Sequence, residues 1–440
     1  MNSLTSHCNT QEFTRIGWLR QSMKLFLATF CVLCVCKAAV AQFHIDIDKP
    51  PFNYSDTVAD NRVSRLIAAI ENKDIELSHN WKNGYLESLL AALDIDASSQ
   101  VLVFSKTSLQ VRYITRNNPR AIYFNDDTYV GWVNGSSLME ISTVDPRLGA
   151  AFYLMEMSPR KPQIKRSGYE CLGCHATSMT QGVPGHAVRS VVVGFDGAIR
   201  PQKESFVTDH SSPFSKRWGG WYVTGKHGEM EHMGNTFFRS EQLEILPKGN
   251  IDNLEREFNT GNYLSPYSDI VALMVLEHQS AMHNTLTRAD FAIRQMNFDD
   301  SKSKTPQSND QENTLQVRTL AKSIVDCMLF VNEFKLTSPV SGHEQFAKRF
   351  VNGGPKDSQG RSLREFDLQT RMFKYPCSYL IYSAAFDSLD LSLRREVYRQ
   401  LLQILRGEND SEEYRHLDSQ DRRCILEILT ETKPSILSQL

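Results

Sequence analysis

Cysteine is scarce in this 440-residue chain, and its nine residues are unevenly placed. Four lie within the first 41 residues, two belong to the run Cys171-Leu172-Gly173-Cys174-His175, and three are scattered in the C-terminal half. A scaffold held by disulfides would need more pairs, so the fold must rest on an apolar core. The scattered three, Cys327, Cys377 and Cys424, allow one disulfide at most, and we expect them to be free buried thiols.

The chain also lacks a strong excess of either charge. It has 49 basic and 51 acidic residues, and removing residues 1–41 takes away four basic residues and one acidic residue, which leaves a net charge of −5. Binding to nucleic acid or to an anionic membrane normally requires a basic excess, so we expect no nucleic-acid partner. After residue 41 no apolar run is long enough to predict a stable membrane span.

The first 41 residues have the pattern of an export signal. Three basic residues precede an apolar run of twelve residues, 25–36, and Ala39-Val40-Ala41 matches the small-x-small cleavage pattern. The apolar run is short for a bilayer span. We therefore predict a signal peptide over 1–41 and export to the periplasm, with a mature chain beginning at Gln42. An uncleaved anchor is the alternative, and Met23 is an alternative to Met1 as the start.

The run Cys171–His175 reads C-x-x-C-H, the attachment signal for a c-type haem. Positions i, i+3 and i+4 share a helix face, so one segment can supply two thioether bonds and an axial iron ligand. The alternatives are a zinc site, a redox pair and a structural disulfide. Zinc needs four ligands and no second C-x-x-C exists, while a redox pair normally follows a strand directly, and here the charged run 166–170 precedes the motif.

Cys171, Cys174 and His175 match the haem-binding motif of c-type cytochromes. The runs Arg217-Trp218-Gly219-Gly220-Trp221-Tyr222 and Tyr375-Pro376-Cys377-Ser378-Tyr379-Leu380 resemble large single-haem proteins that bacteria export. The resemblance covers a small part of the chain and implies one covalent haem c, with His175 as an axial ligand of the iron. A c-type haem is attached outside the cytoplasm, so the export signal supports the same cofactor independently.

Hydrophobic periodicity predicts an α+β fold with a β-rich N-terminal, haem-bearing half and a mainly α-helical C-terminal half. The predicted helices lie at 61–95, 268–296, 314–334, 391–406 and 420–432. The predicted strands lie at 101–104, 121–124, 129–133, 138–141, 151–155, 187–195 and 218–224, and a polar loop is predicted at 298–313. The corresponding regions are a signal peptide (1–41), an N-terminal α/β region (42–160), a haem c-binding region (161–245) and a helical C-terminal domain (246–440).

The residue opposite His175 on the iron would decide the function. Methionine or histidine there closes the iron for electron transfer, whereas an open position allows ligand binding or catalysis. The candidates for this distal position are His210, His227 and His232.

His227 and His232 lie in a run flanked by glycines, 225–235, which allows close backbone approach. Met233 and Met179 are weaker candidates for the distal position. His278 lies on an apolar helix face, where a satisfied core histidine is the simpler expectation.

Two further groups have both a functional and a structural interpretation. The basic residues Arg160, Lys161, Lys165 and Arg166 fit haem propionates or an acidic redox partner, and equally a solvated face. The run His227-Gly228-Glu229-Met230-Glu231-His232 has two histidines and two acids, but its spacing differs from the H-E-x-x-H zinc pattern.

The sequence thus predicts electron transfer between redox partner proteins by a periplasmic single-haem cytochrome. The alternative is a periplasmic haem enzyme of peroxidase type, or a gas or redox sensor, with an open distal site beside Asp209, His210 and Arg217. The size of the chain favours an additional task, because a lone haem does not need about 400 residues around it. A scaffold subunit with a structural haem is the third interpretation.

Overall fold

The computed structural model describes residues 46–159, 162–239, 242–245, 250–302 and 310–438. The predicted signal peptide, 1–41, and the basic residues Arg160 and Lys161 lie outside these residues. The described residues belong to one compact unit, and the predicted boundaries at 160 and 245 fall within it. In the described part of the chain, no helix combines the length and apolar character that crossing a bilayer requires.

The structure is α+β, as the periodicity predicted. The helices are α1 (Arg62–Glu71), α2 (Leu86–Ala92), α3 (Tyr169–His175), α4 (Ile270–Lys302), α5 (Asp310–Met328), α6 (Glu344–Asn352), α7 (Ala384–Asp387), α8 (Leu391–Leu405), α9 (Ser419–Thr432) and α10 (Ser435–Ser438). The 3-10 turns are Ala97–Ser99, Ser178–Thr180, Phe214–Lys216, Thr260–Asn262, Tyr379–Tyr382 and Glu412–Tyr414. The strands are β1 (Val101–Val103), β2 (Arg120–Phe124), β3 (Thr128–Val133), β4 (Leu138–Asp145), β5 (Gly149–Glu156), β6 (Gln163–Ser167), β7 (Val188–Val191), β8 (Ser205–Thr208), β9 (Thr236–Arg239) and β10 (Gln242–Ile245).

Strands β1 to β6 form one antiparallel sheet in which each strand pairs with the next along the chain. Side chains alternate between its two faces, so the sheet packs on both sides. Tyr123, Val130 and Trp132 are buried in the cluster that includes α1 and α2. Phe124 and Tyr129 are buried in the cluster formed with the C-terminal helices. The strand pairs β7–β8 and β9–β10 are separate two-stranded ribbons.

Helix α4 joins the two halves of the molecule. Nearly all of its residues from Ile270 to Ile293 are buried, including many polar ones, which an amphipathic surface helix would not show. Asp269 caps its start, because the carboxylate accepts a hydrogen bond from the Ala272 amide at 2.9 Å. Helices α5 and α8 pack against one another, and α5 also packs against α4. The polar side chains of α4 therefore have to find partners inside the protein.

Some predicted segments differ from the structure, and some elements of the structure were not predicted. Residues 218–224 are not a strand but a buried segment that opens with a turn and has isolated bridges, Val103 to Trp221 and Thr224 to Asp269. Helix α4 continues to Lys302, into the predicted loop at 298–313, and α5 begins at Asp310. Strand β6 and helix α6 were not predicted. β6 is an edge strand with polar side chains, so its sequence shows no strand pattern. Its backbone is held in the sheet by pairing with β5.

Candidate functional site

The C-x-x-C-H motif lies on α3, which begins two residues after β6 ends. The Cys171 thiol is half-buried and donates to the Ser167 hydroxyl oxygen at 3.4 Å, while Cys174 is exposed. Both thiols are free. Burial raises the pKa of Cys171. One thiol thus faces the protein and the other faces solvent, on the same short helix.

His175 is held by the loop that follows α3. Its Nδ1–H donates to the Gly185 carbonyl oxygen at 2.9 Å, and the Gly185 amide donates to the His175 carbonyl at 2.8 Å. Burial lowers the pKa of the ring, so it is neutral near pH 7. A carbonyl can only accept, so the proton lies on Nδ1 and the lone pair on Nε2. Among the described residues, Nε2 makes no hydrogen bond.

Asn284 of α4 fixes the loop that holds His175. Its Oδ1 accepts from the His186 amide at 3.0 Å, and its Nδ2 donates to the His186 carbonyl at 2.6 Å. A Cβ on Gly185 would come within 2.1 Å of Asn284 Oδ1, so this position has no room for a side chain. The ring of His186 lies 6.4 Å from the ring of His175, and Phe152 packs against both.

Exposed apolar side chains lie on α3 and on one loop that is tied to the sheet. Tyr169 is 74% exposed, and Leu109, Val111 and Tyr113 are exposed large side chains of one loop. The Leu109 amide donates to Glu140 on β4 at 3.0 Å, which ties this loop to the sheet. Glu140 also pairs with Arg120, and the charges of this ion pair act on both Cys171 and His175.

These features fit a covalently bound haem. Two free thiols at the required spacing stand beside a neutral imidazole that has one bare nitrogen. The exposed Tyr169 ring on the same helix offers contact surface for a porphyrin.

The predicted distal ligands do not contact His175. His227 has both ring nitrogens engaged, with Nδ1 at 2.6 Å from the Met230 carbonyl and Nε2 accepting from the Asn250 amide at 3.0 Å. His232 lies 4.7 Å from it, ring to ring, and its two nitrogens are buried without a hydrogen-bond partner in the described structure. Burial lowers the pKa of His232 to about 3.

The weaker candidates are also accounted for. Met233 Sδ accepts from the Ser190 hydroxyl at 3.6 Å, and Met179 lies in the 3-10 turn directly after the motif. Glu229 and Glu231, the acids of the possible second metal site, are exposed.

His210 lies against His278 of α4. Their Nδ1 atoms are 3.2 Å apart, and His278 Nε2 is 2.7 Å from the Ser378 hydroxyl oxygen. Both rings are buried, and burial lowers the pKa of His210 to about 4. Cys327 stands beside them, with the ligand atoms of all three residues within 4.8 Å of one another.

The three residues that suggested a peroxidase-type site do come together. Arg217 donates to the His210 carbonyl at 3.0 Å and forms a fully buried ion pair with Glu277 of α4 at 3.0 Å. The Asp209 carboxylate accepts from Ser211 and Ser212. These groups are thus engaged with neighbours rather than directed at the motif.

A line of aromatic and amide contacts runs between the motif and the His210 pair. The ring of His186 lies 4.2 Å from that of Tyr129. Gln279 Nε2 donates to the Tyr129 hydroxyl oxygen at 2.7 Å, and the Tyr379 hydroxyl donates to Gln279 Oε1 at 2.7 Å. The ring of Tyr379 is 6.5 Å from that of His278.

Sequence reasoning did not single out His186, Asn284 or the grouping of Cys327 with two histidines. No local motif signals these residues, because each acts through partners far away along the chain. No family model, curated protein or solved structure matches this chain, so its functional assignment depends on the residues themselves.

Proposed function

We propose that the chain is an exported single-haem c-type cytochrome that transfers electrons between redox partner proteins. The observation that carries the proposal is the His175 imidazole, whose Nδ1–H is held by the Gly185 carbonyl and whose Nε2 is bare. Metal-bound histidines characteristically donate their second ring N–H in this way, which fixes the tautomer and makes the binding nitrogen more basic. The thiols of Cys171 and Cys174 stand on the same helix.

Each residue of the motif has a role in this proposal. Cys171 and Cys174 would hold the haem through thioether bonds, and Nε2 of His175 would bind its iron. Bound haem supplies a one-electron couple whose potential depends on its axial ligands. The buried hydrogen bonds of Asn284 to the His186 backbone would keep the His175 ring in position.

The contacts of the distal candidates support a second function, a haem enzyme or gas sensor with an open iron position opposite His175. Both ring nitrogens of His227 are engaged by the backbone, and His210 is paired with His278. His232 has free nitrogens, but it packs against Trp218 and His227 rather than against the motif. An open position would serve ligand binding instead of simple electron transfer.

The visible spectrum of the reduced mature protein, with and without carbon monoxide, separates the two functions. Electron transfer at a six-coordinate iron predicts no change on adding the gas. A shift of the spectrum would replace the electron-transfer proposal by the enzyme or sensor, and peroxide turnover would then be measured.

The haem assignment itself has a separate test. Replacing both motif thiols (Cys171→Ala with Cys174→Ala) should abolish haem that stays with the denatured chain on a gel, because no thioether can form. The matched control is Cys424→Ser, a thiol outside the motif, which should keep the haem. Covalent haem in the double variant would refute the assignment.

A further inference from the structure

His210, His278 and Cys327 form the one group of metal-binding side chains that was found among the described residues. We propose that this cluster is a binding site for a borderline-soft divalent transition-metal ion, with Zn²⁺ as the reference ion. One nitrogen from each imidazole and the Cys327 Sγ would be the ligands. Imidazole and thiolate are the groups that such ions prefer. The proposal does not depend on the haem assignment.

The spacing of the two histidines agrees with a shared ion. Zinc–nitrogen bonds of about 2.0–2.1 Å at a tetrahedral angle put two ligand nitrogens about 3.3 Å apart. The two Nδ1 atoms are 3.2 Å apart. Three protein ligands would leave the fourth position for a water molecule.

The ligands also have the partners that metal-bound groups need. His278 Nε2 lies 2.7 Å from the Ser378 hydroxyl oxygen, which leaves Nδ1 to face the cluster. The ring of His210 packs against the ring of Phe330, with the two centroids 5.0 Å apart. Such outer contacts orient the ligands and tune their basicity.

Protonation supports the same interpretation. Burial lowers the pKa of both histidines, so the imidazoles are neutral and can offer lone pairs. Burial raises the pKa of Cys327 to about 12, so the thiol keeps its proton without a cation beside it. A bound divalent ion would displace that proton, because a coordinating thiol is deprotonated.

The site is assembled from distant segments that are locked together. His210 follows β8, His278 lies on α4 and Cys327 lies in the last turn of α5. The Phe334 amide donates to the His210 carbonyl at 2.9 Å, and the Ser378 amide donates to the carbonyl of Met328 at 2.8 Å.

An aromatic side chain walls the cluster. The ring of Phe330 stacks on His278 at 4.2 Å and also contacts His210. This gives the cluster a rigid, largely apolar wall, which is the setting of a preformed metal site.

The competing interpretation is a hydrogen-bonded chain without metal, in which one histidine donates to the other. The proposal also competes with the prediction that His210 is the distal ligand of the haem iron, because one nitrogen cannot bind both ions. The two roles are separated by a measurement that sees zinc and not iron.

The test uses the mature protein as it is isolated, with or without haem. It is incubated with Zn²⁺ and freed of excess by gel filtration. Zinc is then measured by mass spectrometry, and its ligands by X-ray absorption at the zinc edge. We expect one zinc per chain with a sulfur neighbour at about 2.3 Å and nitrogen neighbours at about 2.0–2.1 Å. Absence of retained zinc in the wild-type protein would overturn the proposal whatever the variants do.

Variants identify the ligands. Cys327→Ser should remove the sulfur neighbour and weaken zinc binding by about tenfold or more. Cys424→Ser, another partly buried thiol, and His283→Gln, a buried α4 histidine bonded to the Asp126 carbonyl, should bind zinc as the wild type does. A sulfur neighbour that survives Cys327→Ser, or equal loss in Cys424→Ser, would contradict the assignment. Haem content is followed in every variant by its visible spectrum, so a failure of the haem assignment is recognised separately.

Discussion

The side-chain amide of Asn284 is central to the geometry around His175. It pairs with both the amide and the carbonyl of His186, next to the Gly185 carbonyl that accepts from His175. These backbone groups belong to a buried residue, so removing the amide takes away the partners that they have in the fold. A helix residue from the C-terminal half thus sets the position of a ring in the N-terminal half.

Replacing this side chain (Asn284→Ala) should lower the free energy of unfolding by about 2–4 kcal/mol, because two buried backbone groups lose their partners. Chemical denaturation with urea measures the loss. Asn352→Ala, at the exposed end of α6, is the control and should stay within about 0.5 kcal/mol of wild type. Equal stability of the two variants would show that the loop is held by other contacts.

A second residue, Asp269, makes the stability of the fold depend on pH. Burial raises the pKa of this carboxyl from 3.8 to about 6, although its oxygens accept from the amides of Ala272 and His343. The folded protein therefore holds more protons than the unfolded chain between these pH values. The stability that this group contributes is present below pH 4 and is lost as the pH rises through 6.

Comparison of the wild type with Asp269→Asn isolates this effect. Between pH 4 and pH 7.5 the wild type should lose up to about 3 kcal/mol relative to the variant, since each unit of pKa shift corresponds to about 1.4 kcal/mol. Urea denaturation of both proteins at a series of pH values measures the difference, and all other titrating groups cancel. A difference that is constant with pH would contradict the prediction.

Among the elements, α4 is unusual because it is buried and has many polar side chains, each of which needs a hydrogen-bond or ion-pair partner inside the protein. Glu277 does so through Arg217, and the two side chains are 0% and 3% exposed. Burial raises the pKa of Glu277 to about 7, and the guanidinium opposes that rise. Removing one partner leaves the other buried and unpaired.

The single change Arg217→Met should lower the free energy of unfolding by about 3–5 kcal/mol at pH 8. In that variant the buried Glu277 carboxylate has lost its ion-pair partner, so its charge destabilises the fold. The double change with Glu277→Leu should recover most of that loss, because no unpaired charge remains. Urea denaturation of the complete cycle measures both effects. Lys348→Met, which breaks the exposed Lys348–Glu344 pair on α6, should cost no more than about 1 kcal/mol. Additive losses in the double variant would rule out the pairing argument.

The sequence predicted well those elements whose own side chains show an apolar run or the hydrophobic periodicity of a helix. Strands β2 to β5 are short apolar runs, of which β2 and β4 alternate in part and β3 is buried throughout. Helix α8 has a capping Asp390 and ends before Gly407 at φ +75°. Residues 218–224 are as apolar as a strand because they are buried, and they pair only through isolated bridges. β6 is a strand although its side chains are polar. It lies at the sheet edge, and backbone pairing with β5 holds it in the sheet.

At the scale of the whole molecule, the motif was predictable and its surroundings were not. C-x-x-C-H is local, so its residues could be singled out from their spacing alone. Two groups of contacts join segments that are far apart along the chain. His210 lies beside His278 and Cys327, and Gly185 lies beside Asn284. Such contacts follow from the packing of α4 between the two halves, which periodicity does not specify.

The same packing predicts that the N-terminal half, which carries the C-x-x-C-H motif, does not fold alone. Gln279 and His283 of α4 bond to the carbonyls of Asn125 and Asp126, and Asn284 bonds to His186. A fragment of residues 42–245 lacks these partners, so it should show no cooperative urea transition and little dispersion in its amide NMR spectrum. The mature chain, 42–440, is the control. A sharp transition in the fragment would mean that the sheet and its loops are self-sufficient.

The amide of Gln279, which stands between Tyr129 and Tyr379, has a consequence for how the two ends of that line communicate. Its nitrogen donates to one phenol and its oxygen accepts from the other. A neutral amide does not both take up and release a proton at these atoms near pH 7. Gln279 therefore interrupts a proton path along this line of contacts between the motif and the His210 cluster.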